Sequence, residues 1–167
     1  MTRAELIKHL KAFTEAAVKD MVLPVRRQED DEEPPAPRAA EVFLMGLEKS
    51  ASSKKAAPYV IHQVIAGKDV QPEGGRASAL AVVRSIFCVY HEDEQEGALS
   101  LLGLMERLRI ELLKEVVIAG QFELSLEGDG LEMLVYPDDT APYYSGEMIS
   151  TWRLPGVERK VDFHHGY

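Results

Sequence analysis

The stretch ASALAVVRSIFCVYH, residues Ala77–His91, contains neither proline nor glycine. Its alternate positions sort into two sets, Leu80, Val82, Arg84, Ile86, Cys88 and Ala81, Val83, Ser85, Phe87, Val89, and both sets are largely apolar. A strand with one wet face alternates apolar with polar, whereas a strand flanked on both sides by other strands and covered on both faces does not. The pattern therefore predicts a long interior strand. The turn-rich KDVQPEGGR (68–76) comes before it, which places a second strand, PYVIHQVIAG (58–67), directly upstream.

Working toward the C-terminus, the next run is HEDEQEGALSLLGLMERLRIELLKE, residues 91–115. Asp93 fits an N-cap with Glu96 three residues on, and carboxylates in a first helical turn are stabilised by the positive end of the helix dipole. On a helical wheel Ala98, Leu101, Leu102, Leu104, Met105, Leu108, Leu112 and Leu113 form a broad apolar arc, with Arg107, Glu111 and Lys114 opposite. Leu99 and Ile110 fall outside that arc, beside Gly103, and predict a second apolar patch suited to subunit contact. Arg109 falls inside the arc. It must bury its stem and either pair its guanidinium at an interface or point it to solvent.

On either side of these elements the chain reads in the same way. Residues 2–22 predict a helix: Thr2 and Glu5 match a capping box, Leu6, Leu10, Phe13, Ala17 and Met21 recur at helical spacing, and Pro24 ends it. EVFLMGL (41–47) reads as a strand. FELSLEGDGLEMLVY (122–136) predicts a hairpin around Gly128-Asp129-Gly130, and GEMISTWRLP (146–155) a last strand. The order α-β-β-β-α-β-β-β with short late links predicts an α+β fold, a mostly antiparallel sheet with two main helices packed on one face. Residues 1–167 read as one domain, long enough for one substantial core. It is interrupted by an acidic, proline-rich segment at 24–38, with five consecutive acids from Glu29 to Glu33, and by a loop at 48–57; both are expected to be flexible.

Composition narrows the function. The net charge of -9, from 28 acidic and 19 basic residues, argues against a surface built to neutralise phosphates. No apolar run is long enough to span a bilayer and the N-terminus lacks a secretory signal pattern, which predicts a soluble cytosolic protein. Cys88 is the single cysteine, so no disulfide forms within the chain, and its apolar neighbours predict a buried thiol.

Chemistry-bearing motifs are sparse. His91, Glu92 and Asp93 lack the spacing of a metal site, His164-His165 are adjacent near the C-terminus, and His62 alternates within a strand as a structural residue would. Asp138-Asp139 sit in a turn context. No catalytic residue, cofactor or metal site is expected, and the enzymatic alternative is a small metal-dependent hydrolase using His91, Glu92, Asp138 and Asp139. Tyr143 and Tyr144, adjacent on a strand, must point to opposite faces, and the outward ring is a candidate intersubunit anchor.

Two blocks, VYHEDEQEGALSLLGLMERLRIELLKEVVIAGQFEL (89–124) and LEMLVYPDDTAPYYSGEMISTWRLPGVER (131–159), resemble a family of tailed-bacteriophage and prophage proteins, the tail terminators of the head-tail junction. The shared pattern is DEQEG at the helix start, ERLRI within it, and the YP-D-T-PYY-GEMIS-W run. The acidic segment and the KSASSKKAAP loop depart from it. The resemblance implies an assembly role without catalysis: six copies form a ring in the virion neck, assembled in the host cytoplasm, that caps the tail tube, ends its polymerisation and meets the head connector. DNA would pass through the lumen without specific binding. Candidate interface residues under this reading are Leu99, Gly103, Arg109, Ile110, Tyr143 and Tyr144. Another neck or head-tail joining protein of similar fold is the nearer alternative.

Overall fold

A computed structural model describes residues 1–47, 56–137 and 140–158. Asp138, Asp139, His164, His165 and most of the 48–57 loop lie outside the described residues. The elements follow in the order α1 (Arg3–Val18), β1 (Glu41–Leu44), β2 (Tyr59–Val70), β3 (Ser78–Tyr90), α2 (Glu94–Glu115), β4 (Val117–Ile118), β5 (Phe122–Ser125), β6 (Glu132–Val135) and β7 (Tyr143–Pro155). They form a seven-stranded sheet in the order β1-β2-β3-β7-β5-β4, with β6 also paired to β7. Among the described residues only β1 and β2 run parallel, and every other strand pairing is antiparallel. The fold is α+β with both helices on one face of a curled sheet, as the sequence predicts.

β3 is the interior strand that its two apolar sets require, paired with β2 from Ser78 to Cys88 and with β7 from Ser78 to Tyr90. One set, with Ala81, Val83, Phe87 and Val89, faces the helices and is fully excluded from water. Met148 and Trp152 of β7 and Phe122 and Leu124 of β5 extend that layer, while Leu6 and Leu10 of α1 and Leu101, Leu104, Met105, Leu108 and Leu112 of α2 close over it. Each of the larger buried side chains contributes roughly 1.5–3 kcal/mol by leaving water. The other set faces away from the helices and is only partly covered, so the strand is interior to the sheet but not to a sandwich.

Both helix starts are built as their sequences require. Thr2 and Glu5 exchange side-chain and backbone hydrogen bonds, and the Asp93 side chain accepts from the Glu96 N–H. α1 ends at Val18, earlier than the predicted residue 22. Its apolar spacing continues past the helix because Met21 and Leu23 still pack on the core from a turn. Arg107 of α2 supplies the cation its last turn lacks, donating to the Ala17 carbonyl at 3.4 Å and to Asp20 at 2.9 Å.

His62 joins α1 to the sheet. The ring is fully buried, with Nε2 2.8 Å from Thr14 Oγ1 and Nδ1 2.8 Å from Ser85 Oγ. Thr14 donates its own proton to the Leu10 carbonyl. It must therefore accept from Nε2–H, which leaves Nδ1 to accept from Ser85. Burial without a charged partner drives the His62 pKa down from 6.5 to about 3, so the ring is neutral.

The predicted 122–136 hairpin does not form. β5 and β6 do not pair with each other; they lie end to end along one edge of β7, β5 on residues 151–153 and β6 on residues 146–149. β7 runs for 13 residues and its second edge is long enough for two short strands. Gly128 and Gly130, both at positive φ, bend the chain between them instead of reversing it. β6 instead pairs with the next strand, β7.

Segment 24–38 is an out-and-back loop whose two ends are held side by side. Leu23 and Arg38 form an isolated antiparallel bridge, and Arg38 donates to the carbonyls of Ala56 and Pro58. Arg26 donates to the Tyr143 hydroxyl at 2.7 Å with its guanidinium over the ring. The run from Glu29 to Glu33 forms the largely exposed tip.

Candidate assembly interface

α2 has two apolar sides, and the sheet uses only one of them. The inward side is narrower than the predicted arc: Gly97, Leu101, Leu104, Met105, Leu108 and Leu112 are buried, but Ala98 and Leu102 are not. Leu102 turns out with Leu99 and Ile110. Leu99 is 61% exposed and Leu102 and Ile110 are 41% exposed each. Together with half-buried Leu113 they follow one line down the helix, about 21 Å long at 1.5 Å per residue.

Glu106 lies on the same line, and its carboxylate accepts from Arg109 Nε at 2.9 Å and from Nη2 at 2.7 Å. Arg109 is thus paired on its own helix. Gly103 stands beside the stripe; a Cβ there would reach only Met21, at 3.9 Å.

Tyr143 and Tyr144 do point to opposite faces, but neither is an exposed anchor. Tyr144 packs against the main core, its ring laid on Gly97 so closely that a Cβ there would fall 2.1 Å from it. Tyr143 faces away from the helices yet is 5% exposed, covered by Arg26 and packed with Tyr59, Ile61 and Cys88 in a second, smaller cluster. The expectation of an outward ring is corrected by the 24–38 segment, which the sequence marks only as polar. Cys88 is buried in that cluster, and burial pushes its thiol pKa up.

Beyond that cluster the sheet face opposite the helices is open. Leu80, Val82 and Ile149 are partly exposed there and Leu134 is 54% exposed. In their midst Arg84 pairs with Glu147, and the Tyr136 hydroxyl donates to Glu147 at 2.8 Å while accepting from Arg84 at 3.1 Å. Partial burial raises the Glu147 pKa, but the hydrogen bonds from Tyr136 and Arg84 outweigh it, and the net direction is down. The carboxylate is ionised at neutral pH. This second surface was present in the sequence as the Leu80-Val82-Arg84 set of the interior strand.

The residues of the enzymatic alternative are occupied locally or lie outside the described residues. His91 Nδ1 accepts from the Asp93 N–H at 3.0 Å, Glu92 accepts from Tyr90, and the His91 N–H donates to the Pro142 carbonyl. These contacts shape the start of α2. Among the described residues no three His, Cys, Asp or Glu side chains converge as metal ligands would. A groove of about 360 Å³ between α2 and residues 135–137, 140, 141 and 144 has one carboxylate among its described lining residues, Glu94. No helix among the described residues is long and apolar enough to cross a membrane. No family model and no curated protein matches the chain.

Proposed function

We propose that the chain is a structural ring protein of a phage or prophage tail, a terminator that caps the finished tube and faces the head connector. The observation that carries the reading is the apolar line of Leu99, Leu102 and Ile110, exposed on a helix whose opposite side already fills the core. Such a surface stabilises contact with another chain and serves no purpose in a monomer's interior. The likeness of the 89–124 and 131–159 blocks to tail terminators supports the choice of assembly. Cyclic repetition explains how small patches suffice, because avidity accumulates over repeated contacts. An acidic ring, summing the -9 of each chain, would let DNA pass without gripping it.

The test is electron microscopy of lysates lacking the gene. Overlong, headless tails beside filled heads are expected, since the tube would lose its stop while packaging proceeds. Normal-length tails joined to heads would overturn the terminator reading. Failure confined to an Asp138→Asn, Asp139→Asn double variant, with Leu99→Glu, Ile110→Glu behaving as wild type, would turn the assignment toward a hydrolase.

A further inference from the structure

We infer that the exposed stripe of α2 seats on the open sheet face of the next copy, a head-to-tail contact that rests on the ring reading above. The two surfaces lie on opposite sides of a two-layer body, because the helices cover one face of the sheet and α2 turns its stripe away from it. If stripe met stripe, the contact would close a twofold pair and leave the sheet face bare. If stripe meets sheet, every copy offers one of each surface and the contact repeats from copy to copy, closing into a ring where successive copies are turned by an equal fraction of a full circle.

Size and charge favour the second arrangement. The stripe is about 21 Å long, and the open patch from Leu80 to Ile86 runs about 20 Å along β3 at roughly 3.3 Å per residue. Across the sheet, β2, β3, β7 and β6 span about 14 Å at their usual spacing, enough to hold one helix. The helix stripe carries the Glu106–Arg109 pair, and the middle of the sheet patch carries Arg84 with Glu147, while Arg153 with Glu123 and Glu127 borders the patch on its β5 side. Laid together, Glu106 can face Arg84 while Arg109 faces Glu147, an alternating array that fixes register. For a chain of net charge -9, contact through locally balanced patches also avoids like-charge repulsion. The 24–38 segment marks the limit of the patch, because it covers the Tyr143 end of the same face.

Two variants of the full chain test this, each blocking one surface with the same charge: Leu102→Glu on the helix and Ile149→Glu on the sheet. Light scattering should give a one-chain mass for each alone and a two-chain mass for their equimolar mixture, because each retains the surface the other has lost. Wild-type protein should give larger assemblies, alone or on added tail tubes. If the mixture stays at one-chain mass while wild type assembles, or if Ile149→Glu alone assembles like wild type, the head-to-tail contact is wrong and the ring reading stands. If wild type stays at one-chain mass even with tubes present, both fall. Circular dichroism checks folding, and a variant that loses it is replaced by Leu99→Glu or Val82→Glu in the same scheme.

Discussion

Acid should loosen this protein through His62, and the amount can be worked out from the structure. The folded ring titrates at about 3 against 6.5 for an unperturbed histidine. Above pH 6.5 both folded and unfolded chains hold it neutral, and it contributes no pH dependence. Below that, the unfolded chain takes up a proton that the folded chain refuses, so stability falls as pH falls, until the folded pKa is reached. The slope is about 1.4 kcal/mol per pH unit once the unfolded form is protonated, which gives a loss of about 2 kcal/mol between pH 7 and pH 5. That is a sizeable fraction of the 5–15 kcal/mol typical of a domain. The downward-shifted carboxyl of Glu147 acts in the same direction, but in a more acid range, below the ordinary 4.5. Urea unfolding at pH 7, 6 and 5 should show the slope in wild type and lose it in His62→Leu. That variant starts less stable by about 1–3 kcal/mol because the Ser85 hydroxyl loses its acceptor. Equal pH slopes in the two proteins would refute the account of a buried neutral ring joining α1 to the sheet.

The two glycines of α2 should behave oppositely. Gly97→Ala drives a methyl into the Tyr144 ring and should cost about 1–3 kcal/mol, whereas Gly103→Ala meets only Met21 and should gain up to about 1 kcal/mol from helix propensity, both read from thermal melts. Leu99→Glu with Ile110→Glu should change monomer stability by less than about 0.5 kcal/mol each, yet abolish assembly in light scattering. Replacing Glu29–Pro35 with a short glycine-serine link should leave the melting temperature almost unchanged, because the fixed points are Arg26 and Arg38; a large drop would show that the tip itself is packed.

What the sequence reveals depends on how local the cause is. The α2 start was legible because its N-cap and acidic first turn involve residues three apart, and β3 was legible because alternation is a property of one strand. The 122–136 hairpin was misread because Gly128 and Gly130 advertise a bend without saying which edge the next strand will join; that choice belongs to β7, residues away in the chain. The width of the buried arc on α2 is set by what packs beneath it, which no helical wheel contains, so the wheel places Leu102 inward although it is 41% exposed. Strand alternation puts Tyr143 and Tyr144 on opposite faces, but it does not show that the outward ring, Tyr143, is covered, because Arg26 reaches it across 117 positions. The stripe itself was partly legible, in Leu99 and Ile110, since a helix this apolar has more leucine than one face can bury.

The arrangement of β5 and β6 on a common partner decides where the chain tolerates a change of length. In an ordinary hairpin the length of the turn sets the register of both strands, so an insertion disturbs the sheet. Here each strand takes its register from β7 independently, and the bend from 126 to 131 measures nothing. Insertions at Asp129 should therefore leave both registers intact and cost little more than loop-closure entropy, about 0.6 kcal/mol per doubling of loop length. The same bend is where an epitope tag or a fluorescent domain could be carried without disturbing either the core or the outward side of α2.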